Sequence, residues 1–415
     1  MLRQTFVLLA TTLALQACVG VPTPTRPLPS LQSALNPAQN AAPTGRGVAL
    51  LAPLTGPNAE RGQAMVRAAQ LALADPGSPK LDVRDTSGTP AGAAAAARDA
   101  IAAGAGLIIG PLTAAETAAA AGPARAANIP VLAFTSDPSQ ARPGVWTLGI
   151  TPAQQVGRLV GALAAQGKTR FAAVLPSNDF GNAMAAALGQ ATASAGLPAP
   201  EIRTYQSGMA SLNATVRDIS NYPARRGPLE AQIKAARDQR DADGRRRAAD
   251  LSRQGTSSPP FDAILLAETG ETLSSLASVL PFYDIEPPAV RIIGPALWAS
   301  PAARGGAALD GAYYAAPDPA SRSDVDTRYT AANAAAAPGI ADFAYDAAAI
   351  ARVLAQADGY SVAALCRPEG YAGVDGVLTL LPDGRVRRGL ALFEIQRGGP
   401  VMIEPSPASL TAPAS

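Results

Sequence analysis

The sequence predicts an α/β protein made of two lobes with parallel sheets. Three observations predict it. The short apolar runs Val48–Leu51, Gly106–Ile109 and Ile129–Phe134 do not alternate with polar residues, so they read as strands buried on both faces. Alanine-rich segments with helical spacing lie between them, which implies a parallel sheet covered by helices. The same alternation begins again at Phe171–Leu175 and continues through Asp262–Ala267 and Val290–Ile293, giving a second lobe.

The first unit sets the pattern. After Val48–Leu51, the residues Pro53, Gly56 and Pro57 force a turn, and Asn58 is placed to cap a helix running to Asp75. Strand, glycine-containing loop and helix start make a concave place with free backbone N–H groups, suited to a polar ligand group at Thr55 and Gly56. Leu81–Arg84 is the next strand and Ala91–Ala103 the next helix. Gly110-Pro111 ends a strand, and Thr113 opens a helix to Ala127. Thr135-Ser136-Asp137-Pro138 follows Ile129–Phe134, at a strand's carboxyl end, where open α/β sheets bind ligands. Thr113, Thr135 and Ser136 are therefore candidate ligand-binding hydroxyls, with turn and cap chemistry as the alternative reading.

Trp146–Ile150 links to the second lobe, where a helix runs from Thr151-Pro152 to Gln166. Phe171–Leu175 ends in the loop Ser177–Gly181, Asn182–Ala195 is a helix, and Glu201–Tyr205 is a strand. Asp262–Ala267 ends in Glu268-Thr269-Gly270, a helix follows to Phe282, and Val290–Ile293 ends in Gly294-Pro295. Between these strands, residues 217–260 carry Arg225, Arg226, Arg237, Arg240, Arg245, Arg246 and Arg247 among Asp238, Asp241, Asp243 and Asp250. That composition predicts one or two solvated helices, with a partner-protein surface at Arg245, Arg246 and Arg247 as the sharper reading. Further on, Asp310–Ala316 is a strand, and Ser323–Ala335 and Asp342–Ala357 are helices. Cys366 is expected to be an inert buried thiol. Val377–Leu381 and Arg388–Gln396, joined through Pro382-Asp383-Gly384, read as a hairpin, with a loose tail over 403–415.

Composition removes several function classes. The 415 residues include no histidine, which takes away the usual general base and the commonest metal ligand. A net charge of +2 does not call for nucleic acid, and the acids among the arginines of 217–260 weigh against it too. The two cysteines cannot build a structural zinc site, and no metal or cofactor is expected. Glu268 and Asp179 are the carboxylates an enzymatic reading would use, but their motifs belong to a fold rather than a reaction.

The N-terminus reads as an export signal. Arg3 precedes the apolar stretch Phe6–Leu15, which is too short to span a bilayer. Leu15-Gln16-Ala17-Cys18 resembles a bacterial lipobox, which implies a signal over 1–18 and a diacylglycerol on Cys18. Val19 stands where aspartate often marks inner-membrane retention, so a lipid-anchored periplasmic protein of the outer membrane is favoured. Residues 19–46, rich in Pro, Ala and Thr, read as a disordered tether.

Ala52-Pro-Leu-Thr-Gly56 with Gly62-Gln63, Ile109-Gly-Pro111, Ile129-Pro-Val131, Tyr345-Asp-Ala347 and Gly373-Val-Asp-Gly376 resemble, in this order, the type I periplasmic-binding-protein family of leucine-binding type. The resemblance covers about Gly47 to Gly398. It implies two Rossmann-like lobes, three crossovers near Gly149, Ala316 and Tyr371, and a cleft between lobes. On that reading 47–149 with 316–371 forms one lobe and 150–315 with 372–402 the other. Thr135 and Ser136 keep one of the two hydroxyl turns that hold an amino-acid carboxylate in such proteins, while Ala114 and Ala115 occupy the other. Phe180 stands where a tyrosine often packs on the ligand. Ala296 and Leu297 stand where an acid often pairs with its ammonium, leaving Glu268 as the substitute on another strand. Asp179-Phe-Gly181, the arginine-rich insertion, Phe261–Ala267 and Leu280-Pro-Phe-Tyr283 resemble the C-terminal domain of penicillin-binding-protein activator lipoproteins. That branch implies no chemistry and a peptidoglycan synthase as partner. The wider family implies an ABC transporter permease as partner and a small polar ligand such as an amino acid.

Overall fold

The computed structural model describes residues 47–410 apart from Thr256 and Asp358. The expected signal, Cys18, the tether and the last five residues lie outside the described residues. The described residues fall within one compact unit.

The first lobe is built on β1 (Gly47–Ala52), α1 (Ala59–Ala72), β2 (Leu81–Asp85), α2 (Pro90–Ala102), β3 (Ala105–Ile109), α3 (Ala114–Ala126), β4 (Val131–Ala133) and β5 (Val145–Thr147). Its five strands are all parallel, in the order β2-β1-β3-β4-β5. Val48, Leu50, Leu107 and Ile109 face one core, and Ala49, Leu51 and Ile108 face the other. Both faces are covered, which is why the apolar runs do not alternate with polar residues. Alanines at 93, 96, 97 and 100 let α2 approach the sheet closely.

The second lobe contains α4 (Pro152–Ala165), β6 (Phe171–Pro176), α5 (Asp179–Ser194), β7 (Glu201–Tyr205), α6 (Met209–Ile219), α7 (Tyr222–Asp238), α8 (Ala242–Ser252), β8 (Ala263–Leu266), α9 (Gly270–Val279), β9 (Arg291–Gly294), the short α10 (Pro301–Arg304) and β10 (Tyr313–Ala316). The chain then returns to the first lobe with α11 (Pro319–Asn333), α12 (Ala341–Ala355), α13 (Val362–Leu365) and the hairpin β11 (Leu378–Leu380) and β12 (Val386–Arg388). It finishes on the second with β13 (Ala391–Gln396) and β14 (Gly399–Glu404). The second sheet has seven strands in the order β14-β13-β10-β9-β8-β6-β7, parallel from β10 to β7 and antiparallel over β13 and β14.

The two lobes begin with the same device. A Cβ on Gly62, in the first turn of α1, would lie 2.0 Å from the Pro53 carbonyl oxygen, and one on Gly181, in the first turn of α5, 2.0 Å from that of Pro176. Only glycine lets each helix start sit on the end of its strand.

Four expectations change. Asn58 sits at the N-cap of α1 but makes no capping bond; its Oδ1 accepts from Arg61 Nη1 at 3.3 Å instead. Trp146–Ile150 is not merely a link, because Val145–Thr147 pairs with β4 as an edge strand. The segment Val377–Gln396 is not one hairpin. Its Asp-Gly turn joins β11 to β12, whose Leu378, Leu380 and Val386 enter the first lobe's core, while Leu390 and Leu392 enter the second's. The Trp146 Nε1–H donates to the Leu381 carbonyl at 2.7 Å and fastens the hairpin to β5. The third crossing therefore comes at Gly389-Leu390 and not near Tyr371. Finally, residues 399–404 form β14, so Ile403 and Glu404 end a strand rather than begin the tail.

Candidate functional site

The lobes meet around a cavity of about 730 Å³ lined by both. Thr135, Ser136 and Asp137 come from the turn after β4, Gln155 from α4, Asp179 and Phe180 from the start of α5, and Ala296 and Leu297 from the turn after β9. Each supplier lies at a carboxyl end of a strand or in the first turns of a helix, as expected for open parallel sheets.

Three of the residues singled out from sequence, Thr135, Ser136 and Phe180, come together here. Thr135 is nearly buried and its Oγ1 accepts from the Asp137 N–H at 3.1 Å, while Ser136 is exposed and free to turn toward a ligand. Phe180 is half-buried.

The others are used elsewhere. The Thr55 hydroxyl donates to Asp85 Oδ2 at 2.7 Å, and the Leu54 N–H donates to Oδ1 at 2.8 Å, so the loop before α1 is pinned to the end of β2. Burial pushes Asp85 up, but the Ser87 N–H, the Thr55 hydroxyl and neighbouring N–H groups outweigh it and hold the carboxyl below its usual range. Gly56 turns this loop with φ +79°. Thr113 closes a capping box on α3: the Glu116 N–H donates to Thr113 Oγ1 at 3.3 Å and the Thr113 N–H donates back to Glu116 Oε2 at 3.1 Å, while the Thr113 hydroxyl also donates to Oε2 at 2.7 Å. Glu116 is fully buried and also accepts from the Thr86 hydroxyl at 2.5 Å.

Glu268 faces a different cavity, of about 500 Å³, at the carboxyl ends of β6, β7 and β8. Its carboxylate accepts from the Tyr205 hydroxyl, and its backbone oxygen accepts from Trp298 Nε1–H at 2.9 Å. Burial, with this carboxylate beside it, raises the Tyr205 phenol well above its ordinary value.

Sequence reasoning missed Asp137 and Gln155 as cavity residues. Gln155 is nearly buried and its Oε1 accepts from the Ala296 N–H at 2.7 Å, joining α4 to the turn after β9. Asp137 Oδ1 accepts from the Ser139 N–H at 2.9 Å. Burial raises that carboxyl, but bonds from Ser139 and Gln140 more than offset it and keep it ionised. With Asp179 opposite, the cavity wall carries two acids and no base.

The charged insertion is a helical pair. Ile233, Ala236 and Ala248 pack between α7 and α8, and Arg245, Arg246 and Arg247 stand exposed on α8. Arg246 pairs with Asp243 on the same helix. Arg225 anchors the pair to the lobe: its side chain is almost buried, Nη1 meets Asp284 Oδ2 at 2.9 Å, and Nη2 donates to the Tyr283 carbonyl at 2.8 Å. The Tyr222 ring meets Tyr283 edge-on at 5.1 Å.

Cys366 is a free, half-buried thiol pushed up to about 12 by burial and by Asp383, which leaves little thiolate at neutral pH. Among the described residues no group of acids or thiols is placed to hold a metal ion, and no helix is long and apolar enough to cross a membrane.

Comparison with known proteins places this geometry. No curated protein matches the chain in sequence. Among solved structures, a Rhodospirillum rubrum protein described as a branched-chain amino acid ABC transporter is 19% identical, with a TM-score of 0.66, over 86% of this chain and 99% of its own. Full-length LpoA from Haemophilus influenzae is 17% identical with a TM-score of 0.60; the match covers 88% of this chain and 60% of that one. The C-domain of LpoA from Haemophilus influenzae, described as a regulator of PBP1A, is 17% identical with a TM-score of 0.59, over 86% of this chain and 99% of its own. At these identities the likeness is one of fold. The family model described as periplasmic binding protein matches residues 47–400, and the chain belongs to that family.

Proposed function

We propose that this protein is an extracytoplasmic lipoprotein without catalytic activity that regulates a peptidoglycan synthase by protein contact. The observation that carries the reading is the α7–α8 pair. Arg225 and the Tyr222–Tyr283 contact fix it to the second lobe, and it presents Arg245, Arg246 and Arg247 to solvent. A helical pair that adds little to the lobe core, yet is held rigidly, suits recognition of an acidic face on a partner. The likeness in fold to the LpoA C-domain, described as a regulator of PBP1A, supports the same kind of partner.

Changing Arg245, Arg246 and Arg247 together to Ala should leave the circular dichroism unchanged and weaken capture of the synthase at least tenfold. Equal capture by parent and variant would overturn the reading. Cys18→Ser should move the protein from the membrane to the soluble fraction, and a variant still sedimenting with membranes would remove the lipid anchor.

A second reading, a receptor delivering an amino acid to an ABC transporter permease, draws on the cavity itself. Thr135 and Ser136 could take a carboxylate, and Asp137 and Asp179 an ammonium. Against it, no hydroxyl after β3 is free and Ala296 and Leu297 are apolar. Calorimetry with amino acids on the soluble part decides: micromolar binding would favour the receptor.

A further inference from the structure

We propose that residues 404–410 are a strap that holds the two lobes at one angle across the hinge. The lobes are joined by three crossings, at Leu148–Thr151, at Pro317-Asp318 and at Gly389-Leu390. Opening or closing the cleft requires backbone rotation at these residues. From the last residue of β14 the chain reads Glu-Pro-Ser-Pro-Ala-Ser-Leu, and its two prolines fix φ, so little freedom is lost when it lies down on a surface.

It lies on the crossings. Glu404 Oε2 meets Arg158 Nη2 at 2.7 Å, and the same arginine donates from Nε to the Leu390 carbonyl at 2.9 Å, in the third crossing. The Ser406 N–H points to Asp318 Oδ2 at 3.4 Å, in the second crossing. Asp318 is itself buried and accepts from the Ala320 N–H at 2.9 Å, so it cannot swing away without uncapping α11. Pro407 covers Gly389: a Cβ there would come within 3.0 Å of the Pro407 ring. Leu410 then lines a groove of about 440 Å³ together with Leu381 and Val386 of the first lobe and Thr151, Gln154 and Ala187 of the second.

Each contact is modest alone. They sit on one short stiff segment, however, and rotation of the lobes shears them together. Asp318, Gly389 and the two walls of the groove move relative to one another when the hinge turns, and the strap, anchored on the second lobe through Glu404 and Arg158, spans them. The chain is thereby biased toward a fixed scaffold with a cleft that does not swing, whatever the cleft or the α7–α8 pair binds.

The test is a distance measurement. Spin labels at Glu60→Cys on α1 and Asn182→Cys on α5, both exposed, report the lobe angle in the full chain carrying Cys18→Ser and Cys366→Ser. The intact chain should give one narrow distance distribution. A chain ending at Glu404 should give a distribution at least twice as broad, or shifted, with unchanged circular dichroism, and Leu410→Asp should fall between. Coincident distributions for all three overturn the proposal. Should the shortened chain fail to fold, Leu410→Asp decides alone, since it keeps every other contact: an unchanged distribution there also overturns it.

Discussion

Arg388 Nη1 lies 3.2 Å from Asp346 Oδ2, and neither side chain reaches solvent. The same guanidinium donates from Nη2 to the Leu148 carbonyl at 3.1 Å, and Asp346 Oδ1 accepts from the Val374 N–H at 2.7 Å. One ion pair therefore ties the end of β12, the start of the first crossing, α12 and the loop before β11. Removing one partner of a buried pair leaves a charge without compensation, which costs about 3–5 kcal/mol. Arg388→Met should lower the unfolding free energy measured in urea by that amount, and the double variant with Asp346→Leu should recover part of it. Equal loss in single and double variants would show that packing, not charge, is what Arg388 supplies.

The same cluster predicts a pH dependence. Asp342 from α12 and Asp375 lie in this same buried cluster, and both carboxyls are raised above their ordinary value. Arg322 and Asp326 of α11, Asp346 of α12 and Arg388 of β12 surround them. Burial is the largest cause raising both carboxyls, and the arginines oppose it. Burial likewise pushes Asp346 up to about 6 against the pull of Arg388. A carboxyl raised above its unfolded value of about 3.9 binds its proton more tightly when folded. Its stabilising effect is thus full below about pH 4 and is lost as pH rises through the raised values. Between pH 5 and 8 the parent should lose stability. Asp375→Asn, which resembles the protonated form, should lose less over the same interval. Parallel profiles from chemical denaturation would contradict this.

Thr113 offers a cleaner test of what a sequence-level ligand candidate does. Its hydroxyl is committed to Glu116, and Thr→Ala at an N-cap costs about 1 kcal/mol. Thr113→Ala should lower the melting temperature by a few degrees and leave the affinity of any cleft ligand unchanged. A tenfold affinity loss would return Thr113 to the site.

How much of this was legible follows from what each residue type can say. The buried strands were readable because nothing polar interrupts Val48–Leu51 or Ala263–Leu266, and a sheet covered on both faces leaves no other composition. The Asp383-Gly384 turn was readable as a hairpin, but Leu380 and Leu392 are both apolar and do not say which lobe each enters. β14 was missed because Val401, Met402 and Ile403 sit half-exposed on an edge, beyond a Gly-Gly-Pro that looks like a terminator. Of the residues lining the interlobe cavity, Thr135 and Ser136 were legible from their position after a strand and Phe180 through the family resemblance. Thr113 was equally well placed, since a cap and a ligand contact want the same hydroxyl at the same spot. Gln155 follows a capping-box glutamine and carried no signal of its own; only the fold brings it to Ala296.

Gly149 links the hinge to the site turn and supports a last prediction. It lies in the first crossing, and its N–H donates to the Thr135 carbonyl at 3.2 Å. A Cβ there would fall 2.6 Å from the Ser136 nitrogen and 2.7 Å from the Thr135 carbonyl carbon, backbone atoms with no rotamer to yield. Gly149→Ala must therefore push the Thr135–Ser136 turn away from the crossing, at a cost of about 1–3 kcal/mol for overpacking. Because that turn lines the interlobe cavity while Thr113 does not, Gly149→Ala should alter amide exchange at Thr135–Asp137 as well as the melting temperature. Unchanged exchange at those amides would mean that the crossing, not the turn, gives way, and that the two are not mechanically coupled.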